Sequence, residues 1–257
     1  MLFLDLRQHR KGLLGAIVAL LLIVILWQSS AGAILLNAVS SEGKLVPIYA
    51  VDTPKQAVSI SFDASWGAEH TQMILDILDK YQVKATFFLV NIWLKDYPEM
   101  AREIVKRGHE IGLHSVSHPH FSQLSEEKMI KELQDNQAMI KEVTGFEAKL
   151  FRPPFGDYNN TVIRTCESLD YKVIQWSIDS LDWKDLSSEQ IQQRVLKKPK
   201  AGDIILFHNN GKYTAAALPG ILDAFKEKGL DVIPISQLLL EGEYYIDQSG
   251  IQRQTAL

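Results

Sequence analysis

Cysteine is almost missing from this chain of 257 residues: Cys166 stands alone. A single thiol excludes any intramolecular disulfide and any cysteine-rich zinc or iron–sulfur centre, so a metal would have to be held by histidine and carboxylate. Cys166 lies at helical spacing with Val162 and Leu169, which makes it packing material rather than a nucleophile. An excess of base is also missing, since 27 Lys and Arg face 31 Asp and Glu for a formal net charge of -4. Without surplus cations to neutralise phosphates, nucleic acid is excluded as a partner. No internal repeat and no low-complexity tract is present, which excludes solenoids and disordered scaffolds. Long hydrophobic runs are absent with one exception, at the N-terminus.

There Arg7, Arg10 and Lys11 precede an apolar run from Gly12 to Trp27, followed by Gln28, Ser29, Ser30 and the small residues Ala31, Gly32 and Ala33. A basic cluster, an apolar stretch and small residues read as an export signal. The run is short for a spanning helix, but Ala33 to Leu36 extend it, and the basic flank would stay in the cytoplasm. Residues 1–33 are therefore assigned as a signal peptide or membrane anchor, with a retained hydrophobic anchor helix favoured. Either way the rest of the chain is expected outside the cytoplasm, at the membrane face or secreted. Residues 34–55, polar and small from Asn37 to Lys44 and then interrupted by Pro47 and Pro54, read as a linker.

The remainder suits a folded body, with 46% apolar and 23% charged residues over the whole chain. Short apolar runs alternate with amphipathic ones, the pattern of an α/β fold. Seven strands are expected: Ala57–Phe62, Ala85–Val90, His109–His114, Ala148–Phe151, Lys172–Ser177, Asp203–Phe207 and Leu230–Pro234. Helical stripes lie between them: Met73, Ile74, Ile77, Leu78 and Tyr81; then Ile130, Leu133, Ile140 and Val143; then Leu218, Ile221, Leu222 and Phe225. Gly108 and Gly229 fall where helices should close in a left-handed cap. About seven β/α units in residues 56–238 predict a distorted, incomplete (β/α) barrel, with a doubly wound open sheet as the alternative. Residues 239–257 read as a C-terminal tail, polar and frayed from Gln248 onward.

The unusual polar residues fall at the carboxyl ends of the expected strands. Asp63 follows the first, His114 ends the third, Arg152 follows the fourth, Asp179 and Asp182 the fifth, and His208 the sixth. In a parallel barrel those ends form the single face where ligands bind. His114 and His118 stand four apart, which on a helical turn brings both imidazoles to one ion; zinc, cobalt, nickel, manganese or iron would suit them. His120 is read as a supporting or surface residue. Asp63 could bind metal or act as a general base, with Arg152 pinning it in a forked pair, although a structural salt bridge explains the same two residues. Asp182 could orient His208 and keep it protonated, as a general acid requires. Trp66 and Trp183 flank the same mouth as sugar-stacking faces or as core.

In order, Ser61-Phe62-Asp63, His114-Ser115-Val116-Ser117-His118, Arg152-Pro153-Pro154-Phe155-Gly156, Asp179-Ser180-Leu181-Asp182-Trp183 and Leu206-Phe207-His208 resemble the five motifs of the NodB-type polysaccharide deacetylases, carbohydrate esterase family four. The resemblance covers residues 56–238. It implies a metal-dependent enzyme that removes acetyl groups from N-acetylated sugars of cell-wall glycan, either peptidoglycan or an N-acetylglucosamine polymer, with a divalent ion such as zinc. It also implies roles: Asp63 as base, His114 and His118 as metal ligands, His208 as acid, Arg152 as anchor of the base and Asp182 as tuner of the acid. Trp66 and Trp183 would bind substrate, and the Phe155 N–H would face the oxyanion. One departure stands out, because Ala64 occupies the place of the family's usual metal-binding second aspartate. Asp63-Ala64-Ser65-Trp66-Gly67 is similar instead to the sporulation-associated PdaB subgroup, which implies spore peptidoglycan as the setting. Ala64 also opens a second reading, a glycan-binding or scaffold protein on an inherited enzyme fold. A third, a metal hydrolase of another amide or ester, fits the ligand types as well.

Overall fold

The computed structural model describes residues 43–255 and, before them, Leu20 alone. The chain separates into two compact units, Met1–Lys44 and Leu45–Leu257. The expected signal or anchor helix, Leu20 apart, and residues 34–42 of the linker lie outside the described residues. Among the described residues no helix is long and apolar enough to cross a membrane.

The second unit is built on parallel strands: β2 (Ala57–Ala64), β3 (Thr86–Leu89), β4 (Glu110–Leu113), β5 (Leu150–Phe151), β6 (Lys172–Val173), β7 (Ile178–Asp179) and β8 (Ile204–His208). Their order is β6-β5-β4-β3-β2-β8-β7, and a short β9 (Asp231–Val232) pairs with the start of β2. Helices α1 (Thr71–Lys80), α2 (Asn91–Asp96), α3 (Pro98–Lys106), α4 (Glu126–Thr144), α5 (Asn160–Ser168), α6 (Ser188–Val195), α7 (Thr214–Glu227) and α8 (Ile235–Leu238) fill the connections. The parallel half-barrel with helices is the expected architecture, not the open doubly wound sheet.

The expected strand Lys172–Ser177 stops early, at Val173, and β7 begins only after it, at Ile178. β6 pairs with β5 and β7 with β8, so one chain segment supplies both edges of the sheet and curls it towards closure. The kink is bridged by Ile48, whose carbonyl accepts from the Gln175 amide and which pairs in parallel with Ile174. The reading of 34–55 as a linker is thereby corrected from Leu45 onward. Ile48 and Val51 are buried, because apolar residues set between two prolines find unpaired strand edges to cover. The tail is corrected likewise. β10 (Tyr244–Ile246) and β11 (Ile251–Gln254) form a hairpin that pairs in parallel with β1 (Ala50–Val51). Gln252 is buried there, with its side-chain amide bonded to Leu240 through both its oxygen and its nitrogen.

Pleating decides what reaches the barrel interior. Ile60 and Phe62 of β2, Phe87 and Leu89 of β3, and Ile205 and Phe207 of β8 pack outward in the main core with helical residues such as Ile74, Leu78, Leu218 and Phe225. The alternate positions Ser61, Asp63, Thr86, Phe88, Leu206 and His208 therefore face inward. In register, Asp63 lies beside Phe88 on one side and His208 on the other. The stripes are partly corrected, since Leu75 rather than Met73 is buried in α1 and Met129 in α4. Gly108 and Gly229 adopt the left-handed backbone expected of them, at φ 77° and 67°.

Candidate active site

The concave face ends in a cavity of about 480 Å³ at the carboxyl ends of the strands, lined by Asp63, His114, His118 and His208 at its base and by Trp66, Phe155 and Trp183 at its rim. All nine residues expected from the sequence converge there, Arg152 and Asp182 lying directly beneath as partners of Asp63 and His208. Asp63 and Arg152 are buried, and the Arg152 Nη1 donates to Asp63 Oδ1 at 2.8 Å while Nη2 donates to the Gln175 carbonyl at 3.2 Å. The guanidinium stacks on the Phe88 ring at 4.1 Å. Gly112, across from Phe88 in register, leaves room for that ring, since a Cβ there would lie 2.4 Å from it. Burial pushes the Asp63 carboxyl up, but Arg152, His114 and His208 outweigh it and hold the group below the usual carboxylate range.

His208 Nδ1 bonds Asp182 Oδ1 at 2.8 Å, and the His208 amide donates to Asp182 Oδ2 at 2.8 Å. Thr214, at the start of α7, donates its hydroxyl to the same Oδ2 at 2.6 Å. Burial alone would lower the His208 pKa, yet the bond and charge of Asp182, with Asp63 and Asp179 behind it, raise it above the ordinary imidazole value. Asp182 is fully buried, so its two oxygens are satisfied by groups that fix the ring and the strand end together.

His114 Nδ1 lies 2.7 Å from the Arg152 carbonyl, which can only accept, so Nδ1 carries the proton and Nε2 presents a lone pair. That Nε2 is 3.6 Å from Asp63 Oδ2. The rings of His114 and His118 are 5.0 Å apart, but not on a helical turn as expected. The segment is irregular, with left-handed backbone at Ser115 (φ 79°) and His118 (φ 57°). Burial pushes the His118 pKa down to about 4, and its buried Nδ1 has no hydrogen-bond partner.

An ion of the kind the resemblance implies thus finds two imidazole donors. Ala64 supplies no third, and among the described residues no group of three or more His, Cys, Asp or Glu side chains is arranged to hold a metal. The donor set falls one protein ligand short of the usual catalytic zinc site.

The rim is aromatic and open. Trp66, Phe155 and Trp183 are 58%, 60% and 56% exposed, which decides against core packing for the two tryptophans. Trp66 meets the His118 ring edge-on at 4.9 Å, His118 meets Phe155 at 4.5 Å, and Phe155 stacks on the exposed His120 at 4.4 Å. Phe155 sits in a turn with left-handed backbone (φ 59°), where the Gly156 and Asp157 amides bond back to Pro153 and Pro154 but the Phe155 N–H joins neither bond. Sequence reasoning missed Thr214, Gln175 and the two α4 side chains that hold the histidine loop. None carries a motif: Thr214 and the α4 pair look like any polar helix residues, and Gln175 serves Arg152 through its backbone carbonyl, which no residue type marks.

A family model described as polysaccharide deacetylase matches residues 50–174. A peptidoglycan-N-acetylglucosamine deacetylase of Bacillus cereus is 34% identical over 194 residues, covering 74% of this chain and 91% of that protein. The chain belongs to the polysaccharide deacetylase family. YlxY of Bacillus subtilis is 34% identical over 195 residues, where 76% of this deacetylase-family chain is covered and only 61% of YlxY. Among solved structures, a wild-type carbohydrate esterase family 4 pseudoenzyme from Bacillus anthracis superposes with a TM-score of 0.73 at 34% identity, covering 75% of this chain and 68% of its own. A mutant of that pseudoenzyme is described as having restored enzymatic activity, with 35% identity and the same TM-score of 0.73.

Proposed function

We propose that this chain is an exported hydrolase that removes N-acetyl groups from cell-wall glycan, with peptidoglycan as the substrate. The observation that carries the proposal is a carboxylate paired with a guanidinium beside an imidazole paired with a carboxylate in one cavity. Arg152 bonds Asp63 and favours its ionised form, and Asp182 bonds His208, its neighbour in register, and favours the protonated form. That is the division of labour amide hydrolysis needs. Water attacks the acetyl carbonyl as Asp63 accepts its proton. The tetrahedral intermediate places its negative oxygen beside the Phe155 N–H, and collapse follows as His208 protonates the departing sugar nitrogen, leaving acetate and a free amine. Trp66, Phe155 and Trp183 offer apolar faces for sugar rings at the rim. The deacetylase relatives support the glycan as substrate.

A divalent ion bound by His114 and His118, zinc by ligand type, is the part of the proposal that Ala64 strains. If bound, it would supply Lewis-acid polarisation of the carbonyl. Spore peptidoglycan is proposed on the likeness of Asp63-Ala64-Ser65-Trp66-Gly67 to its subgroup, and placement at the outer membrane face on the basic-then-apolar N-terminal sequence. Ala64 also favours a second reading, glycan binding without turnover, in keeping with a pseudoenzyme among the structural relatives. Mass spectrometry of N-acetylglucosamine oligomers and peptidoglycan fragments, incubated with the full chain and added zinc, cobalt or nickel, separates the two. Loss of acetyl groups supports the hydrolase; retention of intact glycan by a folded chain supports the binding protein.

A further inference from the structure

In the segment that carries His114 and His118 no backbone N–H goes to a backbone acceptor, although the Ser115 carbonyl accepts from the Asn91 amide at 3.1 Å. Its five successive amides, from His114 to His118, all donate to side chains. Asn136 Oδ1 accepts from the His114 and Ser115 amides at 2.9 and 3.1 Å. Glu132 Oε2 accepts from the Val116 and Ser117 amides at 2.8 and 3.2 Å, and Oε1 faces the Ser117 hydroxyl at 3.1 Å. Ser115 Oγ takes the last amide, that of His118, at 2.9 Å. Glu132 and Asn136 are one turn apart on α4, so they point the same way along one face of a rigid helix. Asn136 is itself fully buried and anchored, donating through Nδ2 to the Leu89 carbonyl at 3.0 Å and to Asn91 Oδ1 at 2.7 Å, at the end of β3. Two non-glycine residues, Ser115 and His118, are held in left-handed backbone, which persists only where the surroundings over-determine it.

From this we infer that Glu132 and Asn136 are positioning residues that set the mutual geometry of the His114 and His118 imidazoles. The inference rests on the reading of those two histidines as working groups of the site. Neither α4 residue lines the cavity. They act through the loop amides, where an acceptor oxygen is what counts and a formal charge is secondary. Gln at 132 should therefore substitute for Glu, whereas Ala should not.

The test uses the full chain and the variants Glu132→Ala and Glu132→Gln. Imidazole ring signals in two-dimensional NMR report the loop without any need for turnover. Glu132→Ala should displace or broaden the His114 and His118 signals while His208 stays in place, and Glu132→Gln should restore them. In acetate release, Glu132→Ala should lower kcat about tenfold or more with KM little changed, and Glu132→Gln should recover most of it. Unmoved ring signals in Glu132→Ala, or equal displacement in Glu132→Gln and Glu132→Ala, would overturn the inference. If the wild-type chain releases no acetate at all, the function proposed above fails, while the ring signals still decide the positioning role.

Discussion

Replacing Arg152 with methionine isolates the contact on which the base depends. The side chain is fully buried, donates to Asp63 and to the Gln175 carbonyl, and stacks on Phe88, so methionine keeps much of the packing and removes the charge. What remains is a buried carboxylate without its counter-ion. Removing one partner of a buried pair costs about 3–5 kcal/mol, far more than an exposed salt bridge contributes. The sign with pH follows. In the native chain the Asp63 pKa is depressed, so its stabilising contribution is present above about pH 3.9 and is lost as pH falls through the depressed value. In Arg152→Met burial is opposed only by His114 and His208 and raises that pKa from its native value, so the penalty is greatest at neutral pH and fades towards pH ~4 as the buried carboxyl takes a proton. Urea unfolding at pH 7 and pH 4 should show the deficit shrinking on acidification. Adding Asp63→Asn to Arg152→Met should recover stability at pH 7, because no unpaired charge is left, with a coupling on the order of 2 kcal/mol. A loss of less than about 1 kcal/mol in the single variant, or a deficit equal at both pH values, would refute the reasoning.

Other outcomes follow from the same geometry. A plot of kcat/KM against pH should fall on the alkaline side only above the ordinary imidazole value of about 6.5, because Asp182 holds the His208 proton, and Asp182→Asn should move that limb to lower pH. The raised His208 pKa also stabilises the fold fully below about pH 6.5, and that contribution should fade as pH rises through the raised value, visible as a falling melting temperature that Thr214→Val diminishes. Trp183→Ala should raise KM for glycan oligomers while changing stability by no more than about 0.5 kcal/mol, since the ring is largely exposed. Cys166 is fully buried and its thiol pKa is pushed up, so a thiol reagent should modify it only at the rate of unfolding, monitored by mass.

Much of the site was legible because strand-end residues are chemically conspicuous. Asp63, His114, Arg152 and His208 each follow an apolar run, and a parallel barrel has one end at which such residues meet. The alternation Ile60, Ser61, Phe62, Asp63 even indicates which side chains face inward. The expected strand Lys172–Ser177 was less legible, since a run of β-formers does not reveal that it leaves β5 after Val173 and that pairing resumes on the opposite edge only at Ile178. Residues 45–51 and the hairpin 244–254 were misread for a related reason: their partners are remote in sequence, and Gln252 is buried only because Leu240 satisfies its amide. The HxxxH spacing gave the right contact through the wrong local structure. Its left-handed bends depend on Glu132 and Asn136, whose role is invisible until α4 is seen against the loop.

Acetate release from N-acetylated peptidoglycan fragments, compared for the wild-type chain, Asp63→Asn and His208→Ala, tests the central claim most directly. The account predicts release by the wild type that drops by about a hundredfold or more when either residue is changed, because the proton acceptor or donor is gone. Equal, residual release from all three, with glycan still bound, would contradict it.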